Sequence, residues 1–264
     1  MLKEIFLGEV HRLGFQMRKR VPNGDVAKLI SRLHPVVTDK GLVRIGGEAD
    51  GGYLVPDDLE GIAACFSPGV DVTASFEDAL LERGIPCFLA DASVDAPPIS
   101  HPLIDFEKKF LGVVNDETTT TLDAWVARKR PAGGDLLLQM DIEGAEWPVL
   151  LNASDETLGS FRIIVLELHQ MQHCFDPAVF RLYDACLERL GKAFHVVHVH
   201  VNNCGPLRNY RGIELPQCIE VTYLRKDRAD ARGFATEFPH PLDRGNLGHL
   251  PDTVLPSVFR GLTS

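Results

Sequence analysis

The chain of 264 residues is 45% hydrophobic and carries a formal net charge of −10. That balance suits one large α/β domain with appended segments and argues against a protein that tracks nucleic-acid phosphates; a small molecule or a neutral sugar is the better partner. The opening stretch interrupts its apolar residues with Lys3, Glu4, Glu9, His11 and Arg12, unlike a secretory signal. No window approaches the ~18 uncharged apolar residues of a membrane span, so the expectation is a cytoplasmic protein. Six cysteines without a CxxC pair read as reduced, mostly buried thiols rather than as a zinc cluster or a disulfide framework.

In chain order, residues 2–20 place Ile5, Val10 and Leu13 among charges at helical spacing, and Asp25 is placed to cap a second helix through Leu33. Together they form an expected helical extension over residues 1–40. The run LVRIGGEADGGYLV follows. Two glycine pairs allow positive φ or a close approach to a ligand, so the stretch reads as a hairpin or as a loop over a bound molecule. IAACFSPG then restarts as a helix from about Ser75. Strand, glycine turn and helix is the layout that sets backbone N–H groups and a helix start beside a ligand. The next strand, GIPCFLA, ends on Asp91, about twenty positions beyond Gly69, where nucleotide-binding α/β folds carry a carboxylate for ribose hydroxyls. The turn is not GxGxxG, which favours a single nucleoside over a dinucleotide.

FEKKFLGVV is the expected third strand, and Asp116 or a threonine of 118–121 is the expected cap of helix TLDAWVARK. LLLQM is a buried strand opening at its carboxyl end onto Asp141, Glu143 and Glu146. FRIIVLELH is a second, ending on Glu167 and His169; side chains two apart on a strand share a face. FDPAVFRLYDACLERLG is amphipathic, with Val179, Leu182, Cys186 and Leu190 on one stripe. AFHVVHVHVNN and QCIEVTYLRK close a tally of seven strands. The polar, Pro- and Gly-rich segment 227–264 reads as a lid over the site or an oligomer contact.

QMDIEGAEWPVL, TLDAW and IIVLELH, in that order, together with RIGGEADGGYLV, FSPGVDVTASFE and HVHVNNCG, resemble the FkbM-type S-adenosylmethionine-dependent methyltransferases. The similarity spans about residues 40–225. It implies an α/β, class I methyltransferase Rossmann-like fold over residues 41–226: a seven-stranded, mostly parallel sheet with helices on both faces. The fourth and fifth strands then lie side by side, and the sixth is an edge separated from the fifth by the seventh. It also implies O-methylation of a hydroxyl on a sugar, polysaccharide or glycosylated metabolite. The loop SPGVDVTASFE departs from the glycine-dense ExGxGxG form.

On this resemblance Gly69 and Asp71 fall at the methionine moiety, Ser75, Phe76 and Glu77 at the opening of the first sheet-flanking helix, and Asp91 on the ribose. Asp50, Gly51, Gly52 and Tyr53 would close over the ligand, with the tyrosine ring stacking or donating. His169 is the favoured base because its pKa lies near neutrality; Asp141 orients it, the substrate or the cofactor, and Glu143 completes the catalytic candidates. A divalent cation on Asp141, Glu167 and His169 is the sharper variant. His200 and Asn202 are the candidate acceptor contacts. The competing readings are a catalytically inactive binding subunit of a glycan-assembly complex, and an α/β enzyme using another nucleotide.

Overall fold

A computed structural model describes residues 10, 12–14, 18–70 and 72–261; most of the expected first helix, and Asp71, lie outside the described residues. The central sheet has seven strands: β1 (Ile62–Pro68), β2 (Cys87–Ala90), β3 (Ile104–Glu107), β4 (Asp135–Met140), β5 (Phe161–His169), β6 (Phe194–Val201) and β7 (Cys218–Arg225). Their spatial order is β3-β2-β1-β4-β5-β7-β6. β7 runs antiparallel to both neighbours, and every other pairing is parallel. The parallel strands all end on one side, where the loops converge and a crevice opens.

Side-chain parity explains the two layers. Leu136, Leu138 and Met140 of β4 and Ile164, Leu166 and Leu168 of β5 pack in one hydrophobic cluster with Trp125, Trp147 and Leu187, while Leu137, Ile163 and Val165 join Phe76 and Leu80 on the other side. Alternate residues of a strand point to opposite faces, so strands covered on both faces read as continuous apolar runs.

The helices are α1 (Asn23–Ile30), α2 (Ser75–Leu81), α3 (Leu122–Lys129), α4 (Glu146–Asn152), α5 (Asp155–Gly159) and α6 (Pro177–Ala193). Thr121 caps α3 by accepting from the Ala124 N–H at 3.3 Å. Asp176 caps α6 with Pro177 at its start, as its fixed φ favours. Asp25 does not cap α1: Pro22 stands at that position and Asp25 lies inside the first turn. The buried stripe of α6 comprises Tyr183, Cys186, Leu187 and Leu190, with Val179 and Leu182 at its margin.

The third strand also differs from expectation. β3 ends at Glu107, and Phe110–Gly112 leaves the sheet to pair with Thr119–Thr121 in a separate ribbon. The two lysines at 108 and 109 and exposed Phe110 do not suit a strand buried in the sheet. Leu42–Ile45 and Tyr53–Pro56 form the antiparallel hairpin. Five of the six cysteines are buried, Cys204 is exposed, and all are free thiols. Among the described residues no helix is long and apolar enough to cross a membrane.

Candidate active site

The face of the sheet that carries α2 is hydrocarbon at its base and becomes polar toward the strand ends. Ser67, Gln139, Glu167 and Glu220 are all buried there, each an even step along its strand from an apolar neighbour in the same layer. The pairing of Met140 with Leu166 sets Asp141 beside Glu167, and the pairing of Cys218 with His169 adds the β7 thiol to the same face.

A cavity of about 550 Å³ opens in front of β1 and β4, lined by Asp50, Gly51, Gly69, Glu77, Asp91, Asp141 and Glu143 among the expected residues. Gly69 makes the cavity possible. Its φ is +85°, and a Cβ there would stand 1.6 Å from the Asp141 carbonyl oxygen, so the β1 and β4 loops touch backbone to backbone. Asp91 Oδ2 accepts from the Val70 N–H at 3.1 Å, and Oδ1 accepts from the Ser93 N–H and hydroxyl at 2.7 and 2.6 Å. These contacts fix the carboxylate at the cavity wall.

Four of the expected ligand contacts are not among the residues that line the cavity. The Ser75 hydroxyl donates to Gly51 O at 2.8 Å and accepts from the Gly47 N–H at 3.1 Å, tying the glycine loop to the start of α2. Gly52 builds the same turn, since Gly47 O and the Arg44 guanidinium occupy the space of its missing Cβ. Tyr53 and Phe76 are buried and meet edge to face at 5.5 Å.

The Ser67 hydroxyl lies within hydrogen-bond reach of both Glu77 Oε1 and Gln139 Oε1. One hydroxyl proton cannot serve two acceptors; the chain closes if the Glu77 carboxyl is protonated and donates, in keeping with burial pushing its pKa up.

The second centre is His169. Its Nδ1 lies 3.1 Å from Glu146 Oε1, which also accepts from the Ile142 N–H at 2.9 Å and the Gly144 N–H at 3.2 Å. Trp147, stacked on Tyr183 at 3.8 Å and donating to His169 O at 3.0 Å, pins α4 to the end of β5 and so places the wholly buried Glu146. Glu146 was legible only as one of three acids; its spacing after Asp141 carried no mark of the turn that folds it back.

On the other side of the ring, Nε2 is 3.6 Å from Glu143, 3.9 Å from Asp141 and 4.0 Å from Glu167. Glu143 holds φ at +57°, a conformation uncommon outside glycine and concentrated at functional sites. The donor atoms around Nε2 form two overlapping groups: Asp141 and Glu143 toward the cavity, Glu167 and Cys218 inward. Burial, with Asp141 and Glu220 nearby, raises the Glu167 pKa, and burial likewise raises that of Asp141. For His169 burial acts downward but is outweighed by Glu146 and the other acids, lifting the ring to about 9 rather than leaving it near neutrality as expected.

His200 does not reach the cavity. Its Nδ1 lies 3.1 Å from Glu220 and its Nε2 2.9 Å from Asp252, and both contacts lie within the packed end of the sheet. Asn202 donates to Glu167 Oε1 and accepts from the Cys204 N–H, so it orders the acidic row from the edge strand. The ribbon residues Phe110 and Leu111 form a cavity wall that reading them as a sheet strand concealed.

The strand order with a reversed seventh strand, and a cavity at the ends of β1 and β4, define a Rossmann-like methyltransferase fold. Residues 89–210, from the end of β2 to beyond β6, match the family model of the methyltransferase FkbM domain. No curated protein matches the chain.

Proposed function

We propose that this protein is an S-adenosylmethionine-dependent O-methyltransferase acting on a hydroxyl of a sugar, polysaccharide or glycosylated metabolite. The observation that carries the reading is the approach of Asp141 and Glu167 to His169 Nε2, at 3.9 and 4.0 Å, next to a cavity lined by Asp141 and Gly69. The cavity suits a nucleoside: Asp91 stands fixed at its wall for ribose hydroxyls, and Leu111 and Ile142 supply apolar surface. S-adenosylmethionine, when bound, supplies an activated methyl group on a sulfonium.

The chain's own contribution is to orient the acceptor and remove its proton as the oxygen attacks. Glu146 accepts from Nδ1–H, which leaves the Nε2 lone pair of neutral His169 turned toward Asp141 and Glu143. This is the orienting logic of a carboxylate–histidine pair. The raised pKa makes Nε2 the stronger proton acceptor and reserves its neutral form for alkaline solution.

A divalent cation would be held by Asp141, Glu167 and His169 and would act as a Lewis acid on the hydroxyl. Asp141 Oδ1 and Glu167 Oε2 are buried without hydrogen-bond partners, which fits a cation or a shared proton. Nε2 cannot be ligand and base at once. Turnover is expected to persist in excess EDTA; loss of turnover restored by a divalent metal would assign Nε2 to the cation instead.

Calorimetry with S-adenosylhomocysteine tests the reading directly. Binding to the wild type is expected, and Asp91→Ala should weaken it by about tenfold, as a lost charge-assisted hydrogen-bonding group does. No binding to the wild type would leave a methyltransferase fold serving as a binding subunit.

A further inference from the structure

Asp50 reaches the cavity from an exposed loop, and the residue that holds it lies nearly two hundred positions away. Asn246, 5% exposed, sits in the segment after β7, outside the span matched by the family model. Its side-chain amide donates to Asp50 Oδ1 at 3.2 Å and to Glu220 Oε1 at 2.6 Å, and its backbone carbonyl accepts from the Asp50 N–H at 3.3 Å.

The segment itself is anchored independently. Asp252 lies 2.9 Å from His200 Nε2, Asn203 Oδ1 accepts from the Leu247 N–H at 2.8 Å, and Arg244 pairs with Glu48 at 2.6 Å. The glycine loop is tied on its other flank by Ser75. Asp50 thus hangs between two fixed points, α2 on one side and the C-terminal segment on the other.

We infer that Asn246 is a positioning residue that holds the Asp50 carboxylate at the mouth of the cavity for a group of the bound nucleoside ligand. The inference rests on the proposed function, and it makes the C-terminal segment part of the binding site. A buried amide bridging two carboxylates has a physical purpose here. It satisfies both with one NH₂ and brings no positive charge that would oppose a sulfonium ligand.

The test is a double-mutant cycle read by S-adenosylhomocysteine calorimetry on the full chain, with thermal melts to verify folding. Asn246→Ala and Asp50→Ala should each weaken binding by about tenfold, and the double variant should bind no more weakly than Asp50→Ala alone, because contacting residues are not additive. Asn246→Ser, which keeps a hydroxyl donor, should recover part of the loss. Independent, additive losses, or an Asn246→Ala variant that binds like the wild type, would overturn the inference while leaving the proposed function standing. A wild type that binds no S-adenosylhomocysteine would overturn both.

Discussion

His169→Ala should lower turnover by about 10²–10⁴-fold, the usual contribution of a positioned general base, while S-adenosylhomocysteine affinity stays within a few-fold. The separation follows from placement. The ring stands beside Asp141 and Glu143 but is not itself among the residues that line the cavity, so its removal takes away the proton acceptor without opening the nucleoside walls. Single-turnover methyl transfer beside calorimetry measures both quantities. Full activity in His169→Ala would remove the base assignment. A large loss of cofactor affinity would mean that the ring chiefly props the Asp141–Ala145 turn through Glu146, whose carboxylate the two elements share.

The second large effect is expected at Gly69. An alanine there would place its Cβ 1.6 Å from the Asp141 carbonyl oxygen, with Asp141 C at 2.7 Å and Ile142 Cγ2 at 3.2 Å. The first two obstacles are backbone and cannot swing aside. Either the β1 loop or the β4 loop must move, and the two together carry Asp141 and the Val70 N–H that fixes Asp91. Overpacking of this kind costs about 1–3 kcal/mol, and the positive φ adds about 1 kcal/mol. A fall in Tm of several degrees is expected on that scale, together with loss of detectable S-adenosylhomocysteine binding. Gly84→Ala is the control: φ is +75° there, but nothing lies within 4 Å of the added Cβ. Equal melts and equal ligand affinity for the two variants would mean that the loop contact does not build the cavity.

Much of the architecture is legible in the chain because it is written in local pattern. The apolar runs at 136–138 and 163–166, the threonine ahead of Leu122 and the Asp176–Pro177 start of α6 all act within a few residues of themselves. Strand parity likewise sets Glu167 and His169 on one face before any partner is known. Phe106–Val114 shows the limit of that reasoning. Its apolar residues were compatible with a single strand, and only the competition between pairing with β2 and pairing with Thr119–Thr121 divided it.

The candidate site depends more on distant contacts. Asp141, Glu143 and His169 were visible as acids and an imidazole at strand ends, but Glu146 gains its position only when Trp147 docks on Tyr183. His200, at the end of its strand, reads from the sequence as an acceptor contact. It is instead enclosed because the C-terminal segment returns over the edge of the sheet to supply Asp252. Periodicity along the backbone therefore settled which residues form elements and which face each one takes, since sterics and burial act residue by residue. Which carboxylates meet which imidazole, and which loop closes on which, was decided by strand order and by contacts spanning up to about two hundred positions, whose loop-closure cost leaves no trace in any short window.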